Sequence, residues 1–193
     1  MKRESQEPRR HSIRLNGFNY AEPGAYFVTI VTKDRSCLFG EIIDGQMKLN
    51  SAGAAVARWW LELTRGFTTL ETDEFIVMPN HCHGIIVITD PTVGADLCVG
   101  PPNVQTGAHI GAPLPRIMQW FKTMTTNEYI RGVKTLNWPG FRGQLWQRNY
   151  YEHVIRSEES LNRIRQYIID NPARWAFDRE NPVATAGELD SAY

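Results

Sequence analysis

The stretch FIVMPNHCHGIIVI, Phe75 to Ile88, constrains the fold more than any other part of the 193-residue chain. Two apolar runs, rich in β-branched residues, flank a Pro79-Asn80 break and read as two buried strands joined by a turn. The second run is preceded by His81-Cys82-His83. Side chains alternate faces along a strand, so His81 and His83 point one way and Cys82 the other, with the imidazoles roughly 7 Å apart along the backbone. Two imidazoles on one face can converge on a metal ion. A polar strand edge is the competing reading, and a third ligand and a reactive group elsewhere in the chain would decide between them.

Periodicity organises the remainder. AYFVTIVTKD, Ala25 to Asp34, reads as a central strand, and CLFGEIIDGQMKLN as two short strands about the hairpin signal Asp44-Gly45. A helix follows from about Ser51, a candidate N-cap, to near Gly66. Residues 90–113 are rich in Gly and Pro without a single Lys or Arg, and read as a loop insertion of no derivable function, with His109 exposed and inert. LPRIMQWFKTMTTNEYIRGV resumes helical spacing, with Ile117, Trp120, Phe121, Met124 and Tyr129 inward. Leu145 to Arg156 reads as a last strand or extended arm. SEESLNRIRQYIIDNPARW is a helix capped by Ser157, with Pro172 near its stop and Leu161, Ile164, Ile168 and Ile169 as its apolar stripe. The order suits a ferredoxin-like α+β fold, an antiparallel sheet with helices packed on one face. The expected organisation is a basic flexible arm over 1–19, one domain over 20–176 and a tail over 177–193.

Charge supplies the next constraint. The chain is neutral overall, yet Leu114 to Ala176 carry ten Lys and Arg against five acids, and Arg3, Arg9, Arg10 and Arg14 make the arm basic. Such asymmetry is the footprint of a phosphate-bearing partner, and it also occurs on solvated helix faces. Arg116, Lys122, Arg148 and Arg156 lie in the basic part. No apolar run reaches the length of a membrane span, and MKRESQEPRR lacks the apolar core of a signal peptide, so no membrane partner and a cytoplasmic location are expected. The three cysteines form no C-x-x-C pair, which argues against a disulfide framework or a structural zinc knot.

On the last helix Arg163, Tyr167 and Asn171 are spaced by four and stack along one face beside the apolar stripe. A tyrosine at such a margin is commonly a half-buried core residue. Here a cation stands above it and an amide below, a set suited to a phosphate and a metal. Pro172 disfavours helical geometry at Asn171.

VMPNHCHGIIVI followed by LWQRNYYEHVIRSEESLNRIRQYIIDNPARW resembles the REP-associated tyrosine transposases, a branch of the single-tyrosine HUH transposases. The resemblance spans about Tyr26 to Trp175 apart from the loop. It implies that His81 and His83, flanking Cys82, bind a divalent ion, Mg²⁺ or Mn²⁺, and that Tyr167, just before an Asn-Pro step, is the nucleophile. In relatives the side chain one turn after that tyrosine, often Gln, completes the metal site; Asn171 stands here. His153 matches a histidine recurrent in the family motif, with structural hydrogen bonding and active-site support both open. The implied activity is metal-dependent cleavage and transfer of single-stranded, hairpin-forming DNA through a 5′-phosphotyrosine, by a monomer or a homodimer. The chemistry is coherent on its own terms. A phenol is only about a thousandth ionised at neutral pH, so attack on a phosphodiester needs charge neutralisation and alignment.

Trp146, Gln147 and Arg148 are candidates to stack on or bond to unpaired bases, against a packed strand as the alternative. Of Tyr150 and Tyr151, one is expected in the core and one on the surface. Two rival functions remain: a hairpin-binding module without turnover, and a metal hydrolase that uses water and survives loss of Tyr167.

Overall fold

A computed structural model describes residues 22–89 and 112–184. The arm with Arg9 and Arg10, most of the 90–113 loop with His109, and the last residues of the tail lie outside the described residues.

Strand β1 (Gly24–Val31) is followed by the hairpin of β2 (Gly40–Ile43) and β3 (Gln46–Leu49), helix α1 (Ser51–Leu61) and the single turn α2 (Leu63–Gly66). Strands β4 (Leu70–Val77) and β5 (His81–Ile88) come next, then α3 (Leu114–Thr135), β6 (Tyr151–Ile155), α4 (Glu158–Asp170) and a 3-10 helix, Asn171–Phe177. The main sheet is antiparallel with order β4-β5-β1-β6. Without the β2–β3 hairpin this is the strand order of a ferredoxin-like β-α-β-β-α-β fold. Asp44 (φ 51°) and Gly45 (φ 71°) make the hairpin turn with both central residues at positive φ, the geometry that matches strand twist.

The alternation of β1 divides the core. Tyr26, Val28 and Ile30 pack with Val56 and Trp60 of α1 and Ile117 and Phe121 of α3, while Phe27 packs with Ile85, Ile155 and Ile164 and Ile168 of α4. Helices therefore cover both faces: the one-face expectation describes α1 and α3, whereas α4 returns across the opposite face. The physical reason is that Phe27 of β1 and Ile85 of β5 present apolar side chains to the second face too, so each face requires a cover.

Several local expectations shift. The N-cap of α1 is Asn50, one residue before Ser51; its Oδ1 accepts from Gly53 N at 2.9 Å while its Nδ2 donates to Leu38 O at 3.0 Å. Ser157 caps α4 as expected, accepting from Ser160 N. Ile169 is 54% exposed, so the α4 stripe is Ile164 and Ile168 with Leu161 at its border. Asn171 keeps helical geometry (φ −55°, ψ −42°), because the chain runs without a break into the 3-10 helix. Only Tyr151–Ile155 of the expected last strand pairs along β1; Trp146 makes a lone bridge to Thr32. Tyr150 is buried and Tyr151 is 42% exposed. Among the described residues no helix is long and apolar enough to cross a membrane.

Candidate active site

On β5, His81 and His83 face α4 together with Ile85, whereas Cys82 faces the α1–α3 layer. Both histidines are buried, His81 completely, which removes the polar-edge reading. Burial pushes the His81 imidazole down to about 3 and holds His83 well below its ordinary value, so both rings are neutral at pH 7.

Hydrogen bonds fix how His81 presents itself. The Asn80 amide donates from Nδ2 to the carbonyls of Arg35 at 3.0 Å and Glu180 at 2.7 Å, so its Oδ1 is the atom that faces His81 Nδ1 at 2.8 Å. That oxygen accepts from Nδ1–H, and a neutral imidazole has only one proton, so His81 Nε2 is a bare acceptor. This nitrogen stands 3.0 Å from His83 Nε2 and 3.7 Å from Asp178 Oδ2. One ligand atom from each of His81, His83 and Asp178 falls within 4.8 Å of the others, with all three residues buried. Two imidazole nitrogens and a carboxylate oxygen converging in a buried site make a negative focus that a divalent cation neutralises.

Helix α4 brings the tyrosine to this cluster. The Tyr167 ring lies 5.3 Å from the His83 ring and 6.0 Å, edge to face, from Phe27, and Phe27 also stacks on His83 at 5.5 Å. A bidentate ion pair clamps the helix to β4: Arg165 Nε donates to Asp73 Oδ1 at 3.0 Å and Nη2 to Oδ2 at 2.5 Å, holding the Asp73 carboxyl below its ordinary value. One turn beyond Tyr167, Asn171 is buried, and its Oδ1 has no hydrogen-bond partner among the described residues. An orphaned amide oxygen and three convergent nitrogen and carboxylate ligand atoms fit a divalent ion with mixed donors.

Asp178 escaped the sequence reading, which left it in the tail. It reaches the site because the 3-10 helix and the turn after it fold back over the histidines. Trp175 lies over His81 with ring centroids 5.9 Å apart, and Asn181 Nδ2 donates to Trp175 O. Asp178 Oδ1 accepts from Glu180 N, and Glu180 in turn pairs with Arg35 at 2.9 Å. Its only signal in the sequence is an acid directly after the apolar pair Ala176-Phe177.

The other candidates divide. His153 is half-buried opposite Phe27, on the same sheet face as His83. Arg163 is exposed on α4, and Arg156 is exposed at the end of β6. Arg116, Lys122, Gln147 and Arg148 line a groove of about 890 Å³ between α3 and the 143–150 segment, with no carboxylate in its lining among the described residues. Gln147 N donates to Val31 O, and Val31 is the register partner of His81, so the groove opens at the end of the sheet that carries the histidine.

Two of these residues do other work. Trp146 is 4% exposed, tilted against Phe39 at 5.1 Å, and its indole N–H donates to Thr125 Oγ1 at 2.9 Å; its ring is core, not an open stacking platform. Lys122 Nζ donates to the carbonyls of Gln147, Arg148 and Asn149, so its ammonium ties down the groove wall.

No family model matches the sequence. An uncharacterised protein of Haemophilus influenzae is 39% identical over 178 residues, spanning 88% of this chain and 92% of its own. Among solved structures, a REP-associated tyrosine transposase bound to a REP hairpin superimposes with a TM-score of 0.51 at 19% identity, covering 89% of this chain and 74% of the other. The fold implied by the two sequence motifs is therefore the fold found.

Proposed function

The chain belongs to one family with the Haemophilus influenzae protein and carries the fold of a REP-associated tyrosine transposase, and from that premise we propose that it is a metal-dependent single-stranded DNA endonuclease and strand transferase acting on hairpin-forming repeat DNA. The observation that carries this reading is the Tyr167 ring 5.3 Å from His83, beside the convergent His81, His83 and Asp178 atoms.

His81 and His83 would hold Mg²⁺ or Mn²⁺ through Nε2, with oxygen from Asn171 and Asp178; a site with two imidazoles suits Mn²⁺ better. When bound, the ion polarises a non-bridging phosphate oxygen and offsets the charge that gathers there during displacement. Tyr167 Oη forms the bond to phosphorus as the bond to the 3′-oxygen breaks. The phenol gives up its proton and the departing oxygen takes one, leaving a 5′-phosphotyrosine and a free 3′-hydroxyl. The covalent link conserves the phosphodiester bond, so a different 3′-hydroxyl can reverse the step and transfer the strand. Phe27 and the Arg165–Asp73 clamp keep α4 from drifting, which matters because an ångström of misplacement costs about a hundredfold in rate. Arg148 and Arg116 at the groove, Arg156 and Arg163 near β6 and α4, and Arg9 and Arg10 on the arm would supply backbone contacts to the strand. His153 would support the site from the same face, and Gln147 would present an amide to unpaired bases.

The test is incubation of labelled hairpin DNA with Mn²⁺ and either the wild type or Tyr167→Phe, read on a denaturing gel. The reading expects a metal-dependent covalent band that the variant lacks. Binding without an adduct in the wild type would replace it with the hairpin-binding module. Cleavage that persists in the variant would make water the nucleophile.

A further inference from the structure

Two large aromatic side chains are exposed among the described residues, Tyr151 at 42% and Phe177 at 44%. Tyr151 opens β6, the edge strand of the main sheet. Its register partner on β1 is Thr29, and the partner of Thr29 on β5 is His83. Residues directly opposite one another across antiparallel strands share a face, so these three form a row on the face that α4 covers. Two strand spacings separate the backbones of Tyr151 and His83, about 10 Å. One phenylalanine orients both tyrosines of this face: the Phe27 ring meets Tyr151 at 6.3 Å and 69° and Tyr167 at 6.0 Å and 85°. Phe27 is buried, whereas the Tyr151 ring that leans on it stays open to solvent.

The residue before it faces the other way. Tyr150 is buried on the α3 side and lines the basic groove with Gln147 and Arg148. The groove and Tyr167 thus lie on opposite faces of the sheet, and the chain crosses between them at the exposed edge formed by residues 148–151. A single strand seated in the groove reaches Tyr167 by turning round that edge, and Tyr151 is the aromatic ring standing there. We propose that Tyr151 is the stacking platform for an unpaired base adjoining the scissile phosphate. A phenol ring accepts the face of any base, so the contact positions the strand without reading its sequence. Held by its strand and by Phe27, the ring fixes where the base sits, and with it the phosphate that Tyr167 attacks. The proposal rests on the transferase reading for the path of the strand, but it requires no bond to Tyr167.

The test is a binding titration with Mn²⁺ in which single abasic sites are walked along the unpaired flanks of a hairpin DNA. The hairpin is the tightest binder from a pool with randomised flanks, and a Tyr167→Phe background keeps it uncut. With Tyr151 present, one abasic position is expected to weaken binding about 5- to 150-fold. Tyr151→Leu, which keeps an apolar cover over Phe27, should lose that factor on intact DNA and nothing more at that position. Tyr151→Phe should bind as Tyr151 does. Additive losses from the variant and the abasic site would overturn the proposal, as would a lowered urea midpoint with no flank position singled out. Wild-type affinity in Tyr151→Leu would also overturn it, while a covalent adduct on Tyr167 would keep the transferase reading standing. The full abasic pattern in a protein whose Tyr167 forms no adduct would refute the transferase reading and leave this one intact.

Discussion

Asn171 follows Tyr167 by one helical turn and buries a side-chain oxygen that no group among the described residues bonds. An unsatisfied buried acceptor costs about 1–3 kcal/mol, and the cost disappears when a cation occupies the site. Asn171→Leu is therefore expected to leave the metal-free protein as stable or up to about 2 kcal/mol more stable. The same change should shrink the rise in melting temperature on adding Mn²⁺. Opposite signs in the two thermal melts mark Asn171 as a metal-facing residue; a variant destabilised in both would mark it as ordinary core.

The buried histidines give the metal-free protein an acid sensitivity of definite sign. Their folded pKa values lie below the ordinary 6.5, that of His81 at about 3. Between those values the unfolded chain binds more protons than the folded one, so stability is full above 6.5 and falls as pH drops toward 3. Each histidine contributes a slope of about 1.4 kcal/mol per pH unit at most. Urea unfolding at pH 8, 6.5, 5.5 and 4.5 measures it, and a His81→Gln, His83→Gln double variant should flatten the curve between 6.5 and 5. An unchanged slope in the variant would contradict the assignment.

Gly84 tests the layer behind the histidines. A Cβ there would run into the Trp60 ring and approach Phe75 Cδ2 at 2.9 Å, and those two rings are themselves stacked at 4.3 Å. Gly84→Ala forces this stack apart and is expected to cost about 1–3 kcal/mol in chemical denaturation, as overpacking does. Since Gly84 neighbours His83 in the chain, metal affinity should fall with it.

Two cations of the groove should behave differently. Lys122 donates to three carbonyls and lies 5.4 Å from the centre of the Tyr150 ring, whereas Arg148 is exposed. Lys122→Met is expected to lose about 1–3 kcal/mol of stability, since it strands carbonyls bonded to a charge. Arg148→Ala should stay within about 0.5 kcal/mol of wild type. It should nevertheless weaken hairpin binding and reduce the salt dependence of affinity by about one ion. Denaturation curves and salt titrations of both variants separate the roles.

What could be read from the sequence was what local periodicity dictates. The β5 alternation put His81 and His83 on one face, the hairpin was carried by Asp44-Gly45, and Ser157 announced the start of α4. The four-residue spacing put Asn171 one turn from Tyr167. What could not be read was set by contacts distant in sequence. Asp178 meets His81 only because the chain after Pro172 folds back through Asn80 and Arg35, and nothing near Asp178 encodes that. Trp146 looked free to stack because its partners, Phe39 and Thr125, lie far along the chain. The face that α4 covers was equally hidden, since its stripe says that it packs but not against which side.

The central claim is that Tyr167 forms the bond to DNA, and the most direct measurement finds the residue that carries it. After incubation with hairpin DNA and Mn²⁺, nuclease and trypsin digestion would release the peptide Gln166 to Arg174, in which Tyr167 is the sole hydroxyl-bearing side chain. Mass spectrometry should find this peptide heavier by a 5′-linked nucleotide remnant, and unmodified when metal is left out. A remnant on another peptide, or cleaved DNA with every peptide unmodified, would contradict the account.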